Sequence, residues 1–130
     1  MLGEEFATLM ANGCVKTIDG SINCSDLEWN PHPAFAGVYL KHLVSGKNTG
    51  GNLSCHMVRI DPGCTLESHT HNPQWELHEV IKGSGQVVLD GEESAYHPGR
   101  SAVIPCGKQH SVVAGDNGLV LLAKFFPALI

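Results

Sequence analysis

The chain has 130 residues, of which 42% are hydrophobic and 16% charged, and this length and composition predict one globular domain with a hydrophobic core. The formal net charge is −5, and the eight lysines and arginines form no basic run. Such a balance offers no electrostatic attraction for phosphate backbones or anionic membrane surfaces, so we expect neither nucleic acid nor a membrane as a partner.

The first residues, MLGEEFATLMANG, carry two glutamates where a secretory signal peptide would need positive charge. No apolar segment approaches the roughly 20 residues needed to cross a bilayer. We therefore expect a cytoplasmic protein. Five cysteines without C-x-x-C spacing predict reduced and mostly buried thiols, with a Cys14–Cys24 bridge left open as an alternative.

Residues 1–36 are predicted to form an N-terminal arm. Phe6, Leu9 and Met10 share one side of a short helix over residues 3–11, and Gly13 is placed to end it. From there to Pro33 the composition is typical of turns, which indicates an irregular arm lying on the rest of the domain or on a partner subunit.

Residues 37–130 contain short apolar runs, rich in β-branched residues and separated by turn signals, a pattern typical of an all-β sandwich or barrel. The predicted strands cover residues 37–44, 52–60, 65–71, 75–82, 85–90, 101–104, 110–114 and 118–125. Turns with Gly, Pro, Asn and Asp lie between them, including residues 61–63, 83–85, 98–99 and 116–118.

His69 and His71 stand two residues apart in one predicted strand, and strand alternation sends both side chains to the same face. Glu76, at the start of the next predicted strand, adds a carboxylate oxygen. Imidazole and carboxylate together suit Fe, Mn, Zn, Ni or Co. The pattern predicts a site for one divalent ion, although an H-x-H with a nearby acid is only a modest signal by itself.

The surrounding spacing is more specific. Gly63, five residues, His69-Thr70-His71, four residues, Glu76, six residues and Gly83 form one motif. Gly99, five residues, Pro105, one residue, Gly107, two residues and His110 form a second motif downstream. Together they resemble the two sequence motifs of the cupin superfamily, in a small protein with a single cupin domain.

The resemblance covers about residues 52–125 and implies a double-stranded β-helix, or jelly-roll, barrel. It also implies that His69, His71, Glu76 and His110 are the metal ligands. Ala114 and Arg100 depart from the usual second motif, which commonly has Asn and Asp at these positions, but neither position is normally a ligand. Four ligands on an octahedral ion would leave two positions open for a substrate.

Five other histidines and one tyrosine are considered for positions near this site or at the surface. His78 lies two positions beyond Glu76, on the same strand face, and is the candidate general base or substrate contact, with a fifth ligand or a core histidine as alternatives. His56 shares strand parity with buried positions and is a candidate pocket residue, or a polar residue near the barrel mouth. His32 and His42 have no motif support, whereas Tyr96 and His97 are expected at the surface.

We expect a metal-dependent enzyme acting on a small polar metabolite, of the dioxygenase, decarboxylase, lyase or isomerase type. The glutamate ligand lowers the case for a thiol dioxygenase, because members of that class typically lack it. The alternative is a binding or sensor module that captures a small ligand without turnover. The apolar residues 125–130 further predict packing across a homodimer.

Overall fold

The computed structural model describes residues 2–130, with side chains described from residue 5 onward, so the first residue of the predicted arm lies outside it. Within residues 2–130 the chain forms one α-helix, α1 (Leu2–Ala11), and ten β-strands. The strands are β1 (Cys14–Thr17), β2 (Gly20–Asn23), β3 (Asn30–Pro31), β4 (Val38–Val44), β5 (Ser54–Ile60), β6 (Thr65–His69), β7 (Trp75–Leu89), β8 (Glu92–Tyr96), β9 (Ser101–Ile104) and β10 (His110–Phe126).

The barrel is built around two long strands, β7 and β10, which pair antiparallel along their whole length. The first half of β7 also pairs with β9, and the last half of β10 pairs with β5. The other halves pair with β8 and β6, which gives the hydrogen-bonded order β3-β4-β5-β10-β7-β8, with β6 on β10 and β9 on β7. Two sheets that share two bent strands enclose one core, which confirms the predicted jelly-roll barrel.

The bend in the long strands lies where two turns were predicted. The register between β7 and β10 shifts between Ala114 and Leu119. Gly83 has φ +80°, and a Cβ there would lie 2.1 Å from the carbonyl oxygen of Gly118. Only glycine permits this close approach. The prediction that strands end at residues 83–85 and 116–118 is therefore wrong, because both strands continue through the bend.

The arm is more regular than predicted. Helix α1 occupies the predicted place, but β1 and β2 form a hairpin in the segment expected to be irregular. The buried Lys41 on β4 donates hydrogen bonds to the carbonyl oxygens of Ala11 (2.6 Å) and Cys24 (2.8 Å), which holds the arm on the outer face of the barrel. Phe6 and Leu9 are exposed, so the predicted apolar side of α1 is largely not covered.

All five cysteines lie within the described residues and are free, so the alternative Cys14–Cys24 bridge is not formed. Only Cys24 and Cys55 are buried, fewer than the sequence predicts. Among residues 2–130, no helix has the length and apolar character required to cross a membrane.

Candidate metal centre

The pairing of β6 with β10 places His69 beside His110. His69 is the last residue of β6 and lies directly opposite His110, the first residue of β10, so their ring centroids are 4.2 Å apart. His71 lies beyond the strand end, although a strand was predicted as far as residue 71. Its carbonyl accepts a hydrogen bond from Gly107 N–H (2.9 Å), and its ring centroid lies 4.8 Å from that of His69.

Glu76, the second residue of β7, brings the carboxylate to the same point. Its Oε1 lies 3.1 Å from His110 Nε2 and 3.6 Å from His71 Nε2. One nitrogen from each of His69, His71 and His110 lies within 4.8 Å of the others. The structure therefore brings the four sequence-predicted ligands together at one place.

Local hydrogen bonds orient two of these imidazoles. His69 Nδ1 is 2.6 Å from the carbonyl oxygen of Glu67, and His110 Nδ1 is 3.1 Å from that of Lys108. Because a carbonyl can only accept, each Nδ1 carries the proton and donates, and Nε2 keeps a lone pair in the neutral ring. Burial lowers the pKa of His69 to about 4 and also lowers that of His71, so both imidazoles are neutral near pH 7, which is the form that can bind a metal.

Glu76 Oε1 and His110 Nε2 are both buried and have no hydrogen-bond partner among the described residues. Two acceptors facing each other at 3.1 Å repel unless a proton or a cation lies between them. The nearby imidazole nitrogens of His69 and His71 are also of the ligand type that a divalent transition metal prefers. The residues present fit a metal ion.

The other oxygen of Glu76 is already engaged. His78 Nε2 lies 2.7 Å from Glu76 Oε2, and His78 Nδ1 lies 2.8 Å from the Tyr96 hydroxyl. Burial opposes ionisation of Glu76, but the His78 imidazole beside Oε2 helps to hold the pKa of its carboxyl well below its usual range. Burial and the Glu76 charge raise the pKa of Tyr96, which keeps its proton and donates it to the His78 ring.

Tyr96 was expected at the surface, and this prediction is wrong, because its side chain is only 1% exposed. It ends β8, a strand that the sequence pattern did not reveal since its other residues are EESA. His97 is exposed, as predicted. His78 is fully buried behind Glu76 with both ring nitrogens hydrogen-bonded, and the candidate role of acid, base or substrate contact remains a prediction.

His56 is also fully buried. Its Nδ1 lies 2.7 Å from His42 Nδ1, its Nε2 lies 2.8 Å from Ser54 Oγ, and its ring packs edge-on against Phe125. Burial lowers the pKa of His56 to about 4. The residue lies beside the cavity described next and is not part of its lining, so its pocket role also remains a prediction.

A cavity of about 70 Å³ adjoins the predicted metal ligands. Its polar lining residues are His69, His71, Glu76 and, from the arm, His32. The remaining lining residues are apolar: Val38, Leu40, Val58, Leu66, Ala123, Phe125 and Leu129. His32 was not predicted to line the site, because its only local signal is the pair of flanking prolines that stiffen the chain on both sides of it.

Comparisons with known proteins concern the family and the fold. A family model described as the cupin domain matches residues 56–123, more than half of the chain. Dimethylsulfoniopropionate lyase DddW of Ruegeria pomeroyi is 30% identical over 88 residues, which are 67% of this chain and 57% of that protein. The chain thus spans little more than half the length of the curated relative that it matches.

Two solved structures share the fold. A predicted oxalate decarboxylase from Thermotoga maritima superposes with a TM-score of 0.73 at 20% identity, covering 79% of this chain and 95% of that chain. Oxalate decarboxylase of Bacillus subtilis, which has Mn(II) centres, superposes with a TM-score of 0.70 at 25% identity, covering 82% of this chain and 29% of that chain.

Proposed function

The chain belongs to the cupin family, and on that premise we propose that it is a divalent-metal-dependent enzyme that acts on a small organic acid. The observation that carries the proposal is the pair of buried, unpartnered acceptors, Glu76 Oε1 and His110 Nε2, 3.1 Å apart beside a small cavity. A purely structural zinc site would be closed and is usually rich in thiolates, whereas this donor set adjoins space for a ligand.

We further propose a bond cleavage that does not consume O₂, of the lyase or decarboxylase type. The names of two relatives, a dimethylsulfoniopropionate lyase and an oxalate decarboxylase, both describe such reactions on small carboxylates. When bound, the ion would supply Lewis-acid chemistry, polarising a substrate carboxylate or carbonyl. Because this chain covers only part of both relatives, either activity enters here as a proposal.

The protein's own residues prepare the site in three ways. The carbonyl oxygens of Glu67 and Lys108 hold His69 and His110 with Nε2 directed away from the backbone. His78 holds Glu76 through Oε2 and leaves Oε1 available. The apolar lining of the cavity excludes water from a bound substrate, which strengthens electrostatic interactions between that substrate and the site.

The test is metal analysis of protein purified without a tag, followed by turnover assays. We expect about one ion per chain in the wild type and nearly none in His69→Ala, whereas His97→Ala, which removes an exposed histidine outside the site, should keep its metal. Mn²⁺ is the first ion to add back, because the B. subtilis relative has Mn(II) centres. A metal content that is low and equal in all three proteins would refute the site.

Turnover is then measured with dimethylsulfoniopropionate and oxalate, under air and under argon. The proposal expects product formation from at least one of the two acids without net uptake of O₂, with loss of activity in His69→Ala. Uptake of one O₂ for each product formed would indicate a dioxygenase and would contradict the proposed reaction class.

A binding or sensor module is the second candidate function. The observation in its favour is that, among the described lining residues, His32 is the only polar side chain other than the predicted ligands. A free general base is thus not evident in the cavity wall. Tight binding of an organic acid without turnover under either atmosphere would favour this alternative.

A further inference from the structure

The wall of the cavity is chemically asymmetric. The predicted metal ligands lie at one side, and His32 supplies the only other polar side chain among the described lining residues. No lysine or arginine belongs to that lining, which otherwise consists of valine, leucine, alanine and phenylalanine side chains. A ligand that fills this space meets the metal ligands, the imidazole of His32 and otherwise hydrocarbon.

His32 is held firmly. Its Nδ1 accepts hydrogen bonds from the backbone N–H groups of Ala34 (3.0 Å) and Phe35 (3.2 Å). The imidazole stacks on the Phe35 ring, with centroids 4.5 Å apart and planes inclined by 14°. The backbone N–H of His32 donates to the carbonyl oxygen of Val38 (2.7 Å). The ring therefore has one orientation at the cavity, set by the arm.

The same contacts fix the protonation pattern of the ring. Burial lowers the pKa of His32, which keeps it neutral near pH 7. Since Nδ1 accepts two hydrogen bonds, the single proton of the neutral ring resides on Nε2. That nitrogen makes no hydrogen bond to any part of the chain that the structure describes, so its N–H is available to a bound molecule.

We propose that His32 is a substrate-binding residue whose Nε2–H donates to a carboxylate oxygen of the ligand, and that the site selects short monocarboxylates with an apolar body. The inference rests on the metal centre of the proposed function, because the same carboxylate lies against the metal position. A second carboxylate that is too far from the first to share the metal would have to lie against leucine and valine side chains without a cation or donor to replace its water. Dicarboxylates that are too long to bind the metal with both carboxylates are therefore disfavoured.

The test measures binding, without any need for turnover. Wild-type protein is loaded with Co²⁺, and its visible absorption is followed while propionate, butyrate or succinate is added. Butyrate and succinate differ in that the methyl group of butyrate is replaced by a carboxylate in succinate. We expect butyrate to bind at least about tenfold more tightly than succinate.

Two substitutions of His32 separate binding from folding. In His32→Asn, the side-chain oxygen can still accept from Ala34 and Phe35 N–H, but the donor at the cavity is lost. In His32→Gln, an amide N–H stands the same number of bonds from Cα as Nε2. We expect propionate binding to weaken about tenfold or more in His32→Asn, as for loss of a hydrogen bond to a charged group, and to remain within a few-fold of wild type in His32→Gln.

Affinity for Co²⁺ should be unchanged in both variants, and His97→Asn, a matched change at an exposed histidine, should bind propionate as the wild type does. Wild-type affinity in His32→Asn, equal losses in His32→Asn and His32→Gln, or preference for succinate over butyrate would each overturn the proposal. If the His32 effect is present but no acid is turned over, the enzymatic proposal fails and the His32 proposal stands. Absence of Co²⁺ binding in the wild type would overturn both.

Discussion

The two oxygens of the Glu76 carboxylate have different partners, and one of them is linked through His78 to the buried Tyr96. Oε2 accepts from His78, which in turn accepts from Tyr96, while Oε1 faces His110 and His71. The hydroxyl of Tyr96 selects the His78 tautomer that carries its proton on Nε2. The tyrosine therefore positions Glu76 without touching it.

Replacing Tyr96 with phenylalanine should weaken metal binding about tenfold, at the lower end of what loss of such outer partners costs. Without the hydroxyl, His78 can place its proton on Nδ1, and its Nε2 lone pair would then oppose Glu76 Oε2. The dissociation constant for Mn²⁺ or Zn²⁺, measured by competition with a coloured chelator, checks this expectation. Tyr39→Phe, at a half-buried tyrosine that stacks on Arg59, is the control and should bind metal normally. An unchanged constant in Tyr96→Phe would contradict the positioning role.

At this scale the sequence predicts residues whose identity and spacing carry the chemistry. His69, His71, Glu76 and His110 could be singled out because two spaced motifs specify them, and the structure brings them together. Tyr96 and His32 could not be found in this way. Their roles depend on strand pairing and on the path of the arm, which no local pattern encodes.

Among the elements, β7 and β10 determine the geometry of the site, and their common bend depends on glycine. Gly83 combines φ +80° with a backbone so close to its neighbour that a Cβ would lie 2.1 Å from the Gly118 carbonyl oxygen. Gly91 has a similar φ of +85°, but a Cβ there would meet nothing within 4 Å. The two glycines thus share the conformational requirement and differ in the close backbone contact.

Gly91→Ala should cost about 1 kcal/mol in the free energy of unfolding, which is the penalty for a left-handed conformation alone. Gly83→Ala should cost more than about 2 kcal/mol, because the strands must also move apart. Urea denaturation followed by tryptophan fluorescence measures both. Equal losses in the two variants would show that the close contact at the bend is unimportant for stability.

The positions of most barrel strands could be predicted from the sequence, but the lengths of β7 and β10 could not. Apolar runs located most barrel strands, because alternation and β-branched residues are local signals. Gly83-Ser84-Gly85 and Asp116-Asn117-Gly118 have the composition of turns, and only the partner backbone shows that the strands bend there and continue. The β1–β2 hairpin was missed because its four-residue strands have too little apolar content to stand out.

For the molecule as a whole, one apolar surface on the outer face of the barrel has no cover within the described chain. Trp75 is 51% exposed, Phe126 43% and Val103 59%. Trp75 pairs with Phe126 across β7 and β10, and the half-buried Leu77 pairs with Val103 across β7 and β9, so the four side chains form one apolar strip. Residue 129, within the apolar segment 125–130 that was expected to pack across a dimer, contacts its own barrel, where Leu129 N–H donates to Ser54 Oγ (2.9 Å).

We expect a homodimer that buries this strip, with a mass of twice 13.9 kDa by light scattering. Trp75→Glu should give a monomer with an unchanged circular dichroism spectrum, because the side chain makes no contribution to the barrel core. Ile18→Glu, at an apolar residue that is 98% exposed in the β1–β2 hairpin, is the control and should stay dimeric. A monomeric wild type, or a dimeric Trp75→Glu, would exclude this strip as the interface.

The cavity described above is assembled from separate stretches of the chain. Residues 56–123, which match the family model, contain all four predicted ligands. His32, Val38, Leu40, Phe125 and Leu129, which form much of the rest of its lining, lie outside that segment. Evolution can therefore keep the metal chemistry of a cupin while exchanging the flanking segments that shape its cavity. A substrate known for one cupin should accordingly be assigned to another only where these flanks agree, here residues 31–40 and 125–129, because agreement among the metal ligands says nothing about the shape of the cavity.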